Sequence, residues 1–348
     1  MPPIHKKQNR SCAATQGACC AHCSPCAQRC GPTPAYLFMA DECGMLRVVD
    51  PTTNEVVACM QMDCPAGMVI DCDLCKLYVA NQQGTTLTVL SSNDLQTLHC
   101  IALQDERRST CSQCMVCSSK LAFNPNNHHV YIPQPGSGTV AAVSGFHRCV
   151  VGFASVGGCP VAAAVNTHTN LVYVANLTNE IPVINSNSNC RFSTIALPCS
   201  AGVTDLIVNN CDSRIYALRD DGSIAVIGGT TNKLIQTFTP GEGAAAFALD
   251  QSIGLLYIIN SARNAVLVYD ICTLEEIGRL DIPGSACRCF ARLAVNTRTH
   301  LVYVSDPCAN TTYVMDGGLN VPIAKIHTAG QSMEINQCTQ HCPVCARK

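Results

Sequence analysis

Apolar residues in this chain come in short bursts, four to seven long and rich in Val, Ile and Tyr, separated by clusters of Asn, Asp, Gly, Ser and Thr. That is the chemistry of strands and tight turns. One phrase, "AVNTHTNLVYVAN" (Ala164–Asn176), returns almost unchanged as "AVNTRTHLVYVSD" (Ala294–Asp306). Its central aromatic recurs at Phe38, Tyr78, Tyr131, Tyr173, Tyr216, Tyr257 and Tyr303, at spacings of 40, 53, 42, 43, 41 and 46. Each copy carries four β-type segments in the same order, the signature of a propeller blade. The pattern predicts an all-β protein, a seven-bladed β-propeller.

Seven residues before the aromatic, copies two to seven carry Asp71, Asn124, Asn166, Asn209, Asp250 and Asn296, whereas copy one has Gly31. Copy one therefore lacks its first strand. After copy seven the segment Ser332–Asn336 matches the end of such a strand, with no "VYV" behind it. The C-terminal strand is expected to complete the first blade and close the ring, leaving no open edge between the first and last blades. The boundaries that follow are a Cys-rich tail over 1–33, the propeller over 34–336 and a second Cys-rich tail over 337–348.

Through these phrases the chain resembles the YVTN-repeat β-propellers of archaeal and bacterial surface proteins, over about Pro34 to Asn336. The third ("VYIPQP") and fifth ("IYALRD") copies depart from the motif. The resemblance implies a seven-bladed ring and, frequently, an extracytoplasmic or surface role. It carries no shared catalytic residues.

Composition then narrows the function. Charged residues are 13% of 348 and the net charge is -2, without the basic excess that captures nucleic acid. No apolar run approaches the roughly 18 residues that cross a bilayer, so no membrane insertion is expected. The basic start is followed by small, polar, Cys-rich sequence, which reads as no secretory signal. Cysteine is the anomaly: 27 residues, an odd number, in a chain large enough to fold without staples.

Projected onto the ring, the loops leading from one blade to the next lie on one face with the second-to-third strand loops. Cys64, Cys111, Cys114, Cys117, Cys159, Cys199, Cys287, Cys289, Cys43 and Cys308 are expected there. The 53-residue spacing marks an insertion carrying "CSQCMVC". The tails take the place of one hairpin on the opposite face, which would bring Cys12, Cys19, Cys20, Cys23, Cys26 and Cys30 beside Cys338, Cys342 and Cys345, near Cys72 and Cys75. Cys59 and Cys100 fall in outer strands, where burial as small apolar groups competes with any special role.

These features suggest a structural protein: a disulfide-cross-linked building block, self-associating through inter-subunit disulfides, in an extracellular filament, spore coat or virion layer. The tail thiols with Cys111, Cys114, Cys117, Cys287 and Cys289 are the cross-linking candidates. The alternatives are a zinc-binding propeller, with Cys20, Cys23, Cys342 and Cys345 as ligands in Cys-x2-Cys pairs, and a small-molecule or enzymatic propeller using the central channel. The first reading needs no cofactor. No catalytic constellation emerges from the ten scattered histidines, and His128 and His129 share one hairpin. Two N-glycosylation sequons, Asn176 and Asn310, follow second strands and are expected on exposed loops.

Overall fold

The computed structural model describes residues 36–41, 43–81, 85–103, 120–282, 292–330 and 332–335. Among them the strands form seven antiparallel sheets of four. Blade 1 contains β1 (Leu37–Ala40), β2 (Met45–Asp50) and β3 (Glu55–Gln61). Blade 2 is β4 (Pro65–Asp71), β5 (Lys76–Asn81), β6 (Thr86–Ser91) and β7 (Thr97–Ala102). Blade 3 is β8 (Ala122–Asn124), β9 (His129–Gln134), β10 (Thr139–Ser144) and β11 (Cys149–Ser155). Blade 4 is β12 (Ala162–Asn166), β13 (Leu171–Ala175), β14 (Glu180–Asn185) and β15 (Cys190–Ala196). Blade 5 is β16 (Val203–Asn209), β17 (Arg214–Arg219), β18 (Ile224–Gly228) and β19 (Lys233–Phe238). Blade 6 is β20 (Ala244–Asp250), β21 (Leu255–Asn260), β22 (Ala265–Asp270) and β23 (Glu276–Asp281). Blade 7 is β24 (Arg292–Asn296), β25 (Leu301–Asp306), β26 (Thr311–Asp316) and β27 (Val321–Ile326).

The last strand, β28 (Ser332–Ile335), pairs antiparallel with β1, placing Glu334 opposite Phe38. It is the inner strand of blade 1, and the inner strands touch in unbroken order from β4 round to β28 and back. The ring is closed as the missing first strand of copy one required. Apolar residues form seven clusters, each shared by two neighbouring blades. The cluster between blades 7 and 1 joins Leu37, Met39 and Ile335 to Tyr303 and Val314.

The repeated Asn or Asp ends the inner strand by capping the turn. Asn166 Oδ1 accepts from the backbone N–H groups of His168 (3.0 Å) and Thr169 (3.1 Å), and Asn296 does the same for Arg298 (3.0 Å). The fourth turn residue adopts positive φ, as at Asn170 (58°) and His300 (58°), a conformation in which Asn and His are over-represented. The same side chains also reach the next blade. Asn124 Nδ2 donates to Asn170 Oδ1 at 2.6 Å, while Asp71 and Asp250 bond His128 and His300, each at 2.8 Å.

In blades 3 and 4 the repeated tyrosine is a second link to the next blade. Tyr173 Oη donates to Asn232 Oδ1 at 2.7 Å and to the Gly229 carbonyl at 3.1 Å, both in the outer turn of blade 5. Tyr131 reaches Asn189 of blade 4 in the same way, at 2.9 Å. Burial pushes the Tyr173 and Tyr303 phenols up to about 12. In the outer turn of blade 3, Gly145 leaves room for the Tyr78 hydroxyl, since a Cβ there would stand 2.6 Å from it.

Every outer strand carries a one-residue bulge. In β15 the partners of Val183 and Ile184 are Ser193 and Arg191, so Phe192 is skipped. The equivalent skipped residues are Val57, Leu98, Val151, Ile235, Ile277 and Ile323. A bulge twists an edge strand out of register with any incoming strand, which guards the rim against edge-to-edge pairing.

Candidate functional site

The described thiols divide between the two faces of the ring. Hydrogen bonds such as Met62 N–H to the Gly44 carbonyl (2.7 Å) tie the blade-to-blade junctions to the second-to-third strand loops. On that face Cys43, Cys64 and Cys199 are exposed free thiols, and Cys308 is exposed beside them. Cys159, the fifth described member of the expected set, is buried against Val161, Leu197 and Val203. Cys111, Cys114, Cys117, Cys287 and Cys289 lie outside the described residues.

The opposite face carries Cys72 and Cys75 as expected, and further thiols besides. Cys75, Cys149, Cys190 and Cys272 are exposed free thiols at its hairpins. Cys149 and Cys190 hold equivalent places in adjacent blades, each the first residue of an outer strand. The signal was present in "SGFHRC" and "NSNSNC", where each Cys directly follows a polar turn. Cys159 and Cys211 are not free thiols; each is held in a disulfide. All nine tail cysteines, including the candidate zinc ligands Cys20, Cys23, Cys342 and Cys345, lie outside the described residues, as do both tail boundaries.

The sequons separate. Asn310 is exposed, while Asn176 is 3% exposed, packed under the junction where a Cβ on Gly158 would stand 2.7 Å from its amide. Asn176 is thus buried although Leu177 beside it is exposed, contrary to the expectation of an exposed sequon.

Asp71, Asp73 and His128 place ligand atoms within 4.8 Å of one another. The Asp71–His128 bond has a counterpart of equal length in Asp250–His300, four blades further round the ring. A contact that recurs with the repeat is accounted for by blade-to-blade bonding.

The central channel holds charge that the strand pattern concealed. It opens into a cavity of about 840 Å³ lined by inner strands, including Lys120, Asp205, Arg292 and Glu334. Lys120, Asp205 and Arg292 occupy the same register, four residues before the capping Asn, in blades 3, 5 and 7. Lys120 Nζ meets Asp205 Oδ1 at 3.0 Å across the channel, donates to the Leu206 carbonyl at 3.1 Å and lies 5.7 Å from the Phe247 ring centre. Glu334, on the closing strand, has its carboxyl pushed up to about 8 by burial, with the Lys120 charge opposing the rise only in part. Aligning the repeats on their capping Asn would have brought the first three together.

Fold and surface thus define a closed seven-bladed β-propeller with thiols on both faces. No family model and no curated protein matches the chain. Among solved structures it is similar to a chain of Kuenenia stuttgartiensis hydrazine synthase, with a TM-score of 0.64 and 13% identity over 77% of this chain and 88% of that one. At that identity the likeness is one of fold. Among the described residues no helix is long and apolar enough to cross a membrane.

Proposed function

We propose that this protein is a structural building block, a rigid disc that disulfides join into an extracellular filament or a protective particle layer such as a spore coat or virion shell. The observation that carries the reading is the distribution of exposed free thiols over both faces, Cys43, Cys64 and Cys199 against Cys75, Cys149, Cys190 and Cys272. A disc reactive on both faces propagates, because a head-to-tail bond leaves a free face on each new subunit. The odd cysteine total supports it, since pairing within one chain leaves one thiol over. The YVTN-like repeats add a surface role by resemblance. On this reading the protein is not an enzyme and needs no cofactor, and its partners are further copies of itself. Tail cysteines are the foremost cross-linking groups, because "CCAHCSPCAQRC" has little apolar surface to offset the entropy of ordering it.

The test is electrophoresis of native material with and without reductant, alongside a zinc assay. A ladder that collapses on reduction supports the reading. Monomer in both lanes with stoichiometric zinc replaces it with metal binding. A ligand-binding channel is the second reading, favoured by the Lys120–Asp205 pair and Glu334, whose carboxyl burial pushes up, lining one cavity. Co-purification of a small molecule released by K120A would support it.

A further inference from the structure

Cys211 is the second residue after β16. Its backbone N–H donates to the capping Asn209 Oδ1 at 3.0 Å, its sulfur stands 3.8 Å from Gln251 Oε1, and the residue lines the central cavity. Unlike Cys149 and Cys190 on the same face, it is held in a disulfide. Among the described residues only Cys159 shares that state, and Cys159 is too far away to be the partner. Gly158 and Gly202, just ahead of β12 and β16, both pack on Asn176 and Leu177 at the junction face, so Cys159 is level with the start of β16. The seven residues of that strand, about 23 Å long, separate it from Cys211.

Cysteines of the junction loops are poorly placed as well. Lys120 and Arg292 share the register of Asp205, six residues or about 20 Å short of Cys211. Cys117 and Cys289 are three residues further back and Cys287 is five, which span no more than about 11 and 18 Å. Cys111 and Cys114 would have to run down the channel past the Lys120–Asp205 pair that bridges it. The tails start on the correct face. Leu37 pairs with Ile335 at the end of blade 1 where the turns lie. Cys342 and Cys345 are seven and ten residues beyond Ile335, a reach of about 25 and 35 Å. Cys30 is six residues before Tyr36, a reach of about 21 Å, with the other N-terminal cysteines further out along the chain.

The inner strands follow one another round the ring as β28, β4, β8, β12, β16, β20 and β24. Blade 5 therefore stands across the channel from blade 1, and the direct path between them passes over the channel mouth. We propose that one of the two Cys-rich tails crosses that mouth from blade 1 and is bonded to Cys211 of the same chain, as a covalent strap over the cavity. A bond that closes so long a loop is of the kind that restrains the unfolded chain most. The strap needs neither a second subunit nor a bound ligand, and it leaves the remaining tail thiols for bonds between subunits. An external dithiol, itself oxidised to a disulfide, would return two thiols to the protein and free the tail from the mouth.

The experiment is non-reducing peptide mapping of the covalently monomeric fraction of the full chain, with free thiols first blocked by iodoacetamide. The Cys211 peptide should be joined to a peptide carrying one of the tail cysteines. Access to the channel is read separately in F123W, which puts the chain's one indole on the half-buried cavity wall. Acrylamide quenching of that indole should be weak in unreduced F123W and should rise on treatment with dithiothreitol. F123W/C211S should show the higher quenching without reductant, while F123W/C190S keeps the lower. A Cys211 that is alkylated in unreduced monomer, joined to a cysteine of 104–119 or 283–291, or bonded only in covalent oligomers overturns the proposal. So does equal quenching of F123W and F123W/C211S at unchanged circular dichroism.

Discussion

Glu334 offers a quantitative check on ring closure. It lies on β28, the strand that blade 1 receives from the other end of the propeller, and burial pushes its carboxyl up from 4.5 to about 8. Below pH 4.5 the group is protonated whether or not the chain is folded, and it has no effect on the slope. Between 4.5 and 8 the folded ring keeps the proton that the unfolded chain releases, so stability falls as pH rises, by about 1.4 kcal/mol per pH unit. Across the window the loss reaches up to about 5 kcal/mol, and above 8 it levels off. E334Q mimics the neutral acid at every pH and should lack this slope. Urea unfolding of reduced wild-type and E334Q protein at intervals from pH 5 to 9.5 isolates the group, since Lys120, Asp205 and Arg292 are common to both. The wild-type stability minus that of E334Q should decline steadily to pH 8 and then become flat. Parallel curves would refute a proton held by the closing strand.

Removing residues 331–348 deletes β28 and should expose a sheet edge on blade 1; the truncated protein should aggregate or melt far lower by differential scanning calorimetry. Y173F removes a hydroxyl bonded to Gly229 and Asn232 of the next blade, and should cost about 1–2 kcal/mol in chemical denaturation. If the chain passes through a glycosylating compartment, mass spectrometry should find glycan at Asn310 and none at the buried Asn176.

The ring was legible because its links are sequence-local and repeated. A tyrosine that must be buried between blades and an Asn or Asp that must cap the turn recur at fixed separation, and Gly31 in place of the Asn was enough to show that blade 1 borrows a strand. The channel was not legible from that pattern. Lys120, Asp205 and Glu334 are more than 80 residues apart in sequence; the first two share a register in the repeat, but Glu334 joins them only because the closing strand completes the ring. The rim bulges were hidden for another reason. Phe192 and Ile235 fit the alternation of an ordinary strand, and only the register of β14 against β15 and of β18 against β19 shows that each is the skipped residue. The exposed Cys149 and Cys190 needed the hairpin geometry that sets them on the face opposite the junction loops.

The covalent building-block reading stands or falls on which chains the tail cysteines join. The direct measurement is non-reducing peptide mapping of assemblies oxidised from an equal mixture of isotopically light and heavy chains. Disulfide-linked peptides containing one or more of Cys12, Cys19, Cys20, Cys23, Cys26, Cys30, Cys338, Cys342 and Cys345 should include light–heavy hybrids, the mark of a bond between subunits. Tail cysteines found entirely reduced, or cross-links found only between peptides of the same isotope, would contradict it.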